Sequence, residues 1–273
     1  MTGSFRLSRK AQSSGAKGAR KFGSGVLVIA VAVAACAQSE RHSADMQQVM
    51  RPAGEVVSDG EAPNPLRNAY FGDLHLHTRN SYDAYLFNVR ASPDDAYTYA
   101  KGGTIRHPLG YDLRLKSGAL DFLAVTDHAE YLGVLRAIDT PGTEYSKVPY
   151  ARSLFSSDRS EVFDAFGRFV TSLRTGIVLP ELSDPSATGS AWQQTIDSAR
   201  RNYEPGKFTT FVGYEFTSLP GTRNLHRNVI FASDTVPPMP FSALDSQNPE
   251  DLWRWLDARR AEGIASLAIP HNS

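Results

Sequence analysis

Imidazole and carboxylate side chains recur in this chain where apolar runs end. Asp73-Leu74-His75-Leu76-His77-Thr78 closes one run, Thr126-Asp127-His128 a second, Tyr214-Glu215-Phe216 lies in a third, His226 precedes a fourth and Ile269-Pro270-His271 ends a fifth. Side chains two residues apart on an extended strand point to one face, so His75 and His77 can grip one ion together. Imidazole nitrogen is a ligand for transition metals, and a carboxylate placed among apolar residues, as Glu215 is, stays ionised only if a partner offsets its desolvation. Asp83 follows closely enough for a loop to return an anionic oxygen to the same place. Each residue also has a plain structural reading. A His-x-His pair arises on the polar face of ordinary strands, Asp83 can serve a turn, and Glu215 can face outward or pair with an arginine. What favours chemistry is the set: five of the seven histidines fall at such positions, while His42 and His107 do not.

The elements that must position these residues follow from periodicity. Strands are expected over Ala69–His75, Leu120–Thr126, Phe208–Phe216, Asn228–Ala232 and Ile264–Ile269. Helices are expected after Ser92-Pro93-Asp94-Asp95, over Ser160–Leu173, over Ala191–Tyr203 and after Asn248-Pro249-Glu250-Asp251, where an N-cap side chain, a first-turn proline and acids coincide. The first of these should stop near Gly102-Gly103. Strands alternating with helices imply an α/β fold with parallel pairing and ligands gathered at carboxyl strand ends. Val236–Pro240 reads as an irregular surface loop, and no internal repeat is visible.

Taken in order, Tyr70-Phe71-Gly72-Asp73-Leu74-His75-Leu76-His77-Thr78, the stretch from Leu120 to Gly133, Gly213-Tyr214-Glu215 and Ile269-Pro270-His271 resemble the polymerase and histidinol phosphatase (PHP) superfamily. The resemblance is greatest to its envelope-associated branch, domain of unknown function 3604, and covers Asn68 to the last residue. It implies a distorted (β/α)7 barrel in which His75 and His77 hold one metal, Glu215 bridges metals, His226 and His271 hold another, and Asp83 and His128 serve a further ion. Two or three divalent ions of zinc, manganese or iron are implied. Many relatives carry histidine where this chain has Asp83, and an anionic oxygen favours a harder ion such as manganese. The family's late acid and histidine motif has no counterpart before Ser273, so the barrel and its metal site are expected to be incomplete at the carboxyl end. Asp73 and Asp127 adjoin ligand histidines and are expected to orient them from outside the metal's own ligands.

The amino end is of another kind. Arg6, Arg9, Lys10, Lys17, Arg20 and Lys21 precede the apolar run Val26–Ala35, which is too short to span a bilayer, and the run ends Val33-Ala34-Ala35-Cys36. This is the layout of a lipoprotein export signal, with Cys36 as the lipidated residue, so we expect a signal peptide over 1–36, a tether over 37–67 and a catalytic domain over 68–273. The chain would then be exported and held to the cell envelope through Cys36, on the periplasmic face in a two-membrane bacterium. As the sole cysteine, it allows no internal disulfide.

The 29 basic and 29 acidic residues cancel, so the composition predicts no electrostatic footprint for nucleic acid or an anionic membrane surface, and an anionic substrate must be attracted locally. The expected activity is metal-dependent hydrolysis of a small phosphorylated molecule, with the ions activating water. The other readings are an amidohydrolase-like enzyme for amides or lactones, which normally adds a metal-bridging lysine, and a non-catalytic envelope lipoprotein that binds metal or ligand. Arg79, Arg106, His107 and Arg223 could meet a phosphate or simply be solvated.

Overall fold

The structure, a computed structural model, describes residues Asn68–Asn272. The expectations for 1–36 and 37–67, Cys36 included, lie outside these residues. Seven helices are described: α1 (Tyr82–Leu86), α2 (Pro93–Ala100), α3 (Val134–Ile138), α4 (Ala151–Leu154), α5 (Arg159–Thr175), α6 (Ser186–Asn202) and α7 (Pro249–Ala261). The capping chemistry read from sequence sets two of their starts. Ser92 and Asp95 form a capping box ahead of Pro93, and the Asn248 side chain accepts from the Glu250 amide ahead of Pro249.

Seven strands accompany them: β1 (Gly72–Asp73), β2 (Ile105–Arg106), β3 (Asp112–Leu113), β4 (Phe122–Val125), β5 (Thr209–Ser218), β6 (Leu225–Phe231) and β7 (Ser266–Pro270). β2 and β3 form an isolated hairpin, and the others form one sheet in the order β1-β4-β5-β6-β7. The expectation of parallel pairing holds only for β1 with β4 and β4 with β5; β5–β6 and β6–β7 are antiparallel. Only residues 219–224 join β5 to β6, and a parallel return needs a crossover of about a dozen residues or more. The consequence matters for function. β1, β4, β5 and β7 end at the rim where β6 begins, so one rim receives four carboxyl ends and one amino end.

The sheet is curled into a five-stranded half-barrel. Its two outer strands carry His75 and His271 just beyond their ends, and these rings lie 4.1 Å apart between centroids. Across the interior, Asn228 Nδ2 of β6 donates to the Leu74 carbonyl next to β1 at 2.8 Å. Close packing at the β1 edge requires Gly72, because a Cβ there would stand 2.3 Å from the Phe122 carbonyl and ring.

Outside the sheet, α2, α6 and α7 cover its apolar face with Tyr97, Trp192, Ile196, Leu252 and Leu256 against Val125, Val212, Tyr214 and Phe231. Burial of each large side chain contributes roughly 1.5–3 kcal/mol. A second core joins α1, α3, α4 and α5 through Tyr82, Leu135, Leu154 and Phe169. The proline-rich stretch is not simply a surface loop: the Trp192 indole donates to the Pro237 carbonyl at 2.8 Å, and Val236 packs on the main core.

Candidate metal centre

β1 is shorter than expected, and both histidines of the first motif lie beyond it on extended chain. Pairing continues there through a side chain. The Thr126 amide donates to the Leu76 carbonyl at 2.8 Å, and the Leu76 amide donates to Thr126 Oγ1 at 3.0 Å. Leu76 turns toward the core, so His75 and His77 turn together to the rim interior.

All seven predicted ligands meet there, in three groups whose ligand atoms lie within 4.8 Å of one another: His75, His77 and Glu215; His77, Asp83 and His128; Glu215, His226 and His271. Glu215, 1% exposed, sits between two pairs of imidazoles. Its Oε2 is 2.7 Å from His77 Nε2 and 3.3 Å from His75 Nε2, and its Oε1 is 2.7 Å from His226 Nδ1 and 3.1 Å from His271 Nε2. Asp83 Oδ1 is 3.2 Å from His77 Nδ1, and its Oδ2 is 3.6 Å from His128 Nε2. Among the described residues, every ion-pair partner of Glu215 and Asp83 is an imidazole, so the arginine reading of Glu215 does not hold.

The charges are consistent with a site made for cations. Burial disfavours the ionised forms of Asp83 and Glu215, yet the surrounding imidazoles outweigh it and hold both carboxyls well below the usual range. Burial likewise works against a charged His77, but Asp83 and Glu215 raise it to about 10. His75 and His128 are lowered, chiefly by burial. Two anions thus draw positive charge into a cluster that, among the described residues, has no lysine or arginine ion-pair partner, and His77 is the imidazole they raise. A divalent ion suits the donor set better, since five imidazole nitrogens and two carboxylates are ligands for such ions and adjacent imidazolium rings would repel.

Asp73 and Asp127 do not orient imidazoles. Asp73 Oδ1 accepts from the His75 backbone amide at 2.8 Å, and Asp127, 2% exposed, accepts from both the Thr78 amide and Thr78 Oγ1, the latter at 2.7 Å. Alternation points each acid away from its histidine neighbour, so both fix backbone instead. Burial pushes the Asp127 carboxyl up to about 6.

The imidazole-orienting groups are hydroxyls that sequence reasoning passed over. Ser81 Oγ lies 3.0 Å from His77 Nδ1, donates to Asp83 Oδ1 at 2.6 Å and accepts from the His128 amide at 3.2 Å. It stands at the N-cap of α1 yet makes no capping bond, because its hydroxyl is committed to the site. Thr217 Oγ1 lies 2.6 Å from His128 Nδ1, and Tyr82 stacks on the same ring at 4.6 Å. Thr217 was findable, being two residues past Glu215 on one strand and hence on the same face. Of the candidate phosphate groups, Arg106 pairs with Asp112 and His107 stacks on Tyr111 in the exposed hairpin, away from the cluster.

Glu130 was also missed. Fully buried, its Oε1 accepts from the amides of Thr217 at 3.1 Å and Ala243 at 2.7 Å, which ties β5 to the chain beyond β6. Burial raises its carboxyl to about 8. Glu130→Ala would orphan two buried amides at roughly 1–3 kcal/mol each. Urea unfolding should therefore show a loss of about 2–6 kcal/mol, whereas Glu130→Gln, which keeps an acceptor oxygen, should lose less than half of that. Equal stability of both variants and the parent would show that this bond pair holds nothing.

Half-barrel and cluster together define an α/β protein with groups positioned to bind metal at the rim of its sheet. Residues 64–273 match the family described as Protein of unknown function (DUF3604), and the chain belongs to that family. No curated protein and no solved structure matches the chain.

Proposed function

We propose that this protein is a metal-dependent hydrolase of the PHP type, built on a (β/α)7-type barrel and acting on phosphoesters of small molecules. The observation that carries the proposal is Glu215, a buried carboxylate with one oxygen toward His75 and His77 and the other toward His226 and His271. This arrangement fits two neighbouring ions sharing one carboxylate, and Asp83 with His77 and His128 fits a third. Zinc, manganese or iron suits these donors, and the oxygen of Asp83 favours manganese for its group. Such ions, when bound, lower the pKa of water and neutralise charge on phosphoryl oxygens.

The chain's own residues do the rest. His75, His77, Glu215, His226 and His271 would hold two ions; Ser81 and Thr217 fix the ring orientations of His77 and His128. Asp127 holds the turn that carries His77 toward Asp83. Among the described residues no lysine pairs with the cluster's carboxylates, and Glu215 would take the bridging place, which favours phosphoester over amide or lactone hydrolysis. Export and lipid anchoring at Cys36 remain part of the proposal on the strength of the amino-terminal sequence; no described helix is long and apolar enough to cross a membrane.

The test is turnover by metal-loaded protein on phosphomonoesters, phosphodiesters, amides and lactones. We expect phosphoester hydrolysis that falls at least tenfold in His75→Ala. Bound metal without turnover on any class would assign the chain to a binding role, and activity unaffected by His75→Ala would reject the site.

A further inference from the structure

Two arginines without anion partners stand close together beyond the turn at Thr78. Arg79 follows Thr78 in the turn that Asp127 holds, and Arg136 projects from α3, whose N-cap glycine, Gly133, donates its amide to the Asn80 carbonyl at 2.7 Å. Gly133 adopts φ +73°, and a Cβ there would stand 2.6 Å from Ala191, so loop, α3 and α6 meet closely. The Nε atoms of both arginines are buried without a hydrogen-bond partner, and neither guanidinium has an ion-pair partner among the described residues. Burial lowers the pKa of Arg136, and the Arg79 charge lowers it further.

Two partly buried cations that repel each other and lack an anion are costly to keep. Structural arginines are normally paired or solvated, and Arg106, Arg200 and Arg201 show the usual pattern here, each with an aspartate. Arg136 instead lines an open cavity of about 400 Å³ with Ser190 and with three hydroxyls that already donate within the protein, Thr143 to the Ala137 carbonyl, Tyr145 to the Asp184 carbonyl and Ser186 to Asp184 Oδ2. The two acids on its wall are engaged elsewhere: Glu144 receives Lys147, and Asp184 accepts from the Ser186 amide and hydroxyl, both at 2.9 Å. A guanidinium with free N–H donors at the wall of a cavity, beside the Ser190 hydroxyl, is the chemistry that recognises a tetrahedral oxyanion.

We infer that the cavity between α3 and the start of α6 binds a phosphate-type oxyanion through Arg136, with Arg79 supplying a second positive charge. The cavity contains none of the seven metal-site residues, so this site does not depend on the hydrolase reading and would persist in a protein that binds metal without turnover.

The experiment uses chelator-treated full-length protein, with inorganic phosphate titrated against chloride at constant ionic strength and followed by calorimetry and thermal unfolding. The parent should bind phosphate saturably with a rise in Tm, and His75→Ala should keep both. Arg136→Met should weaken phosphate binding at least tenfold, and its ligand-free Tm should equal or exceed that of the parent, because an unpartnered cation is replaced by an apolar chain of similar length. Absence of saturable binding in the parent, undiminished binding in Arg136→Met, or loss of binding in His75→Ala would overturn the inference. So would a ligand-free Arg136→Met protein that is less stable or fails to fold, which would make Arg136 a structural residue.

Discussion

Glu215→Gln should strip the protein of most of its metal while leaving the fold intact. Glutamine matches the size of glutamate but offers one acceptor oxygen where the site uses two, each facing a different imidazole pair. At best one pair keeps a partner. Removing even an outer-shell partner typically lowers metal affinity 10–100-fold, and loss of a shared ligand should do at least as much at both positions. We therefore expect elemental analysis to find no more than one ion per chain, and phosphoester hydrolysis to fall at least about a hundredfold. Metal-free stability should fall as well, because the surrounding imidazoles hold Glu215 ionised in the folded protein and the variant leaves the raised His77 with Asp83 as its only anion. Full metal content in the variant would remove Glu215 from the centre of the account.

The second large effect belongs to a residue that touches no metal-site side chain. Asp127→Ala leaves the buried Thr78 amide and hydroxyl without their acceptor, at roughly 1–3 kcal/mol for each. It also frees the turn that leads from His77 to Ser81 and Asp83. For a domain of this size, about 3–5 kcal/mol corresponds to a fall in Tm of roughly 10 °C. Circular dichroism should show that fall, together with weakened metal binding in the group of His77, Asp83 and His128. A variant that melts within roughly 2 °C of the parent would show that the turn is held by something else.

Much of the site was legible because of where its residues stand. Apolar runs ending in Asp-Leu-His-Leu-His, Asp-His and Pro-His place polar groups at the rim of a sheet, and all three endings reach the cluster. Individual roles were harder to read. Asp127 looks like an imidazole-orienting acid by adjacency, yet strand alternation turns it to Thr78, and the orienting work passes to Ser81 and Thr217. Hydroxyls carry no sequence pattern that separates such use from capping or solvation. Glu130 was invisible for a different reason: its amide partners, Thr217 and Ala243, are far away in the chain.

The fold shows the same division. The apolar runs located all five strands of the main sheet, but periodicity carries no information on strand direction. The expected strands left 217–227 between them, long enough to leave direction open, whereas both strands run further than expected and the link over 219–224 that remains permits only a hairpin. That reversal brings His226 to the rim from the amino end of β6, opposite Thr217 in register. A parallel β6 would have put its carboxyl end there and sent His226 to the far side of the sheet.

The central claim is that five imidazoles and two carboxylates converge to hold cations. Anomalous diffraction from crystals grown with manganese or zinc, collected on both sides of the absorption edge, tests it most directly. Peaks are expected on either side of Glu215, one beside His75 and His77 and one beside His226 and His271, with a further peak available beside Asp83 and His128. Crystals in which Glu215 stays hydrogen-bonded to its imidazoles, with no anomalous peak among them at saturating metal, would contradict it.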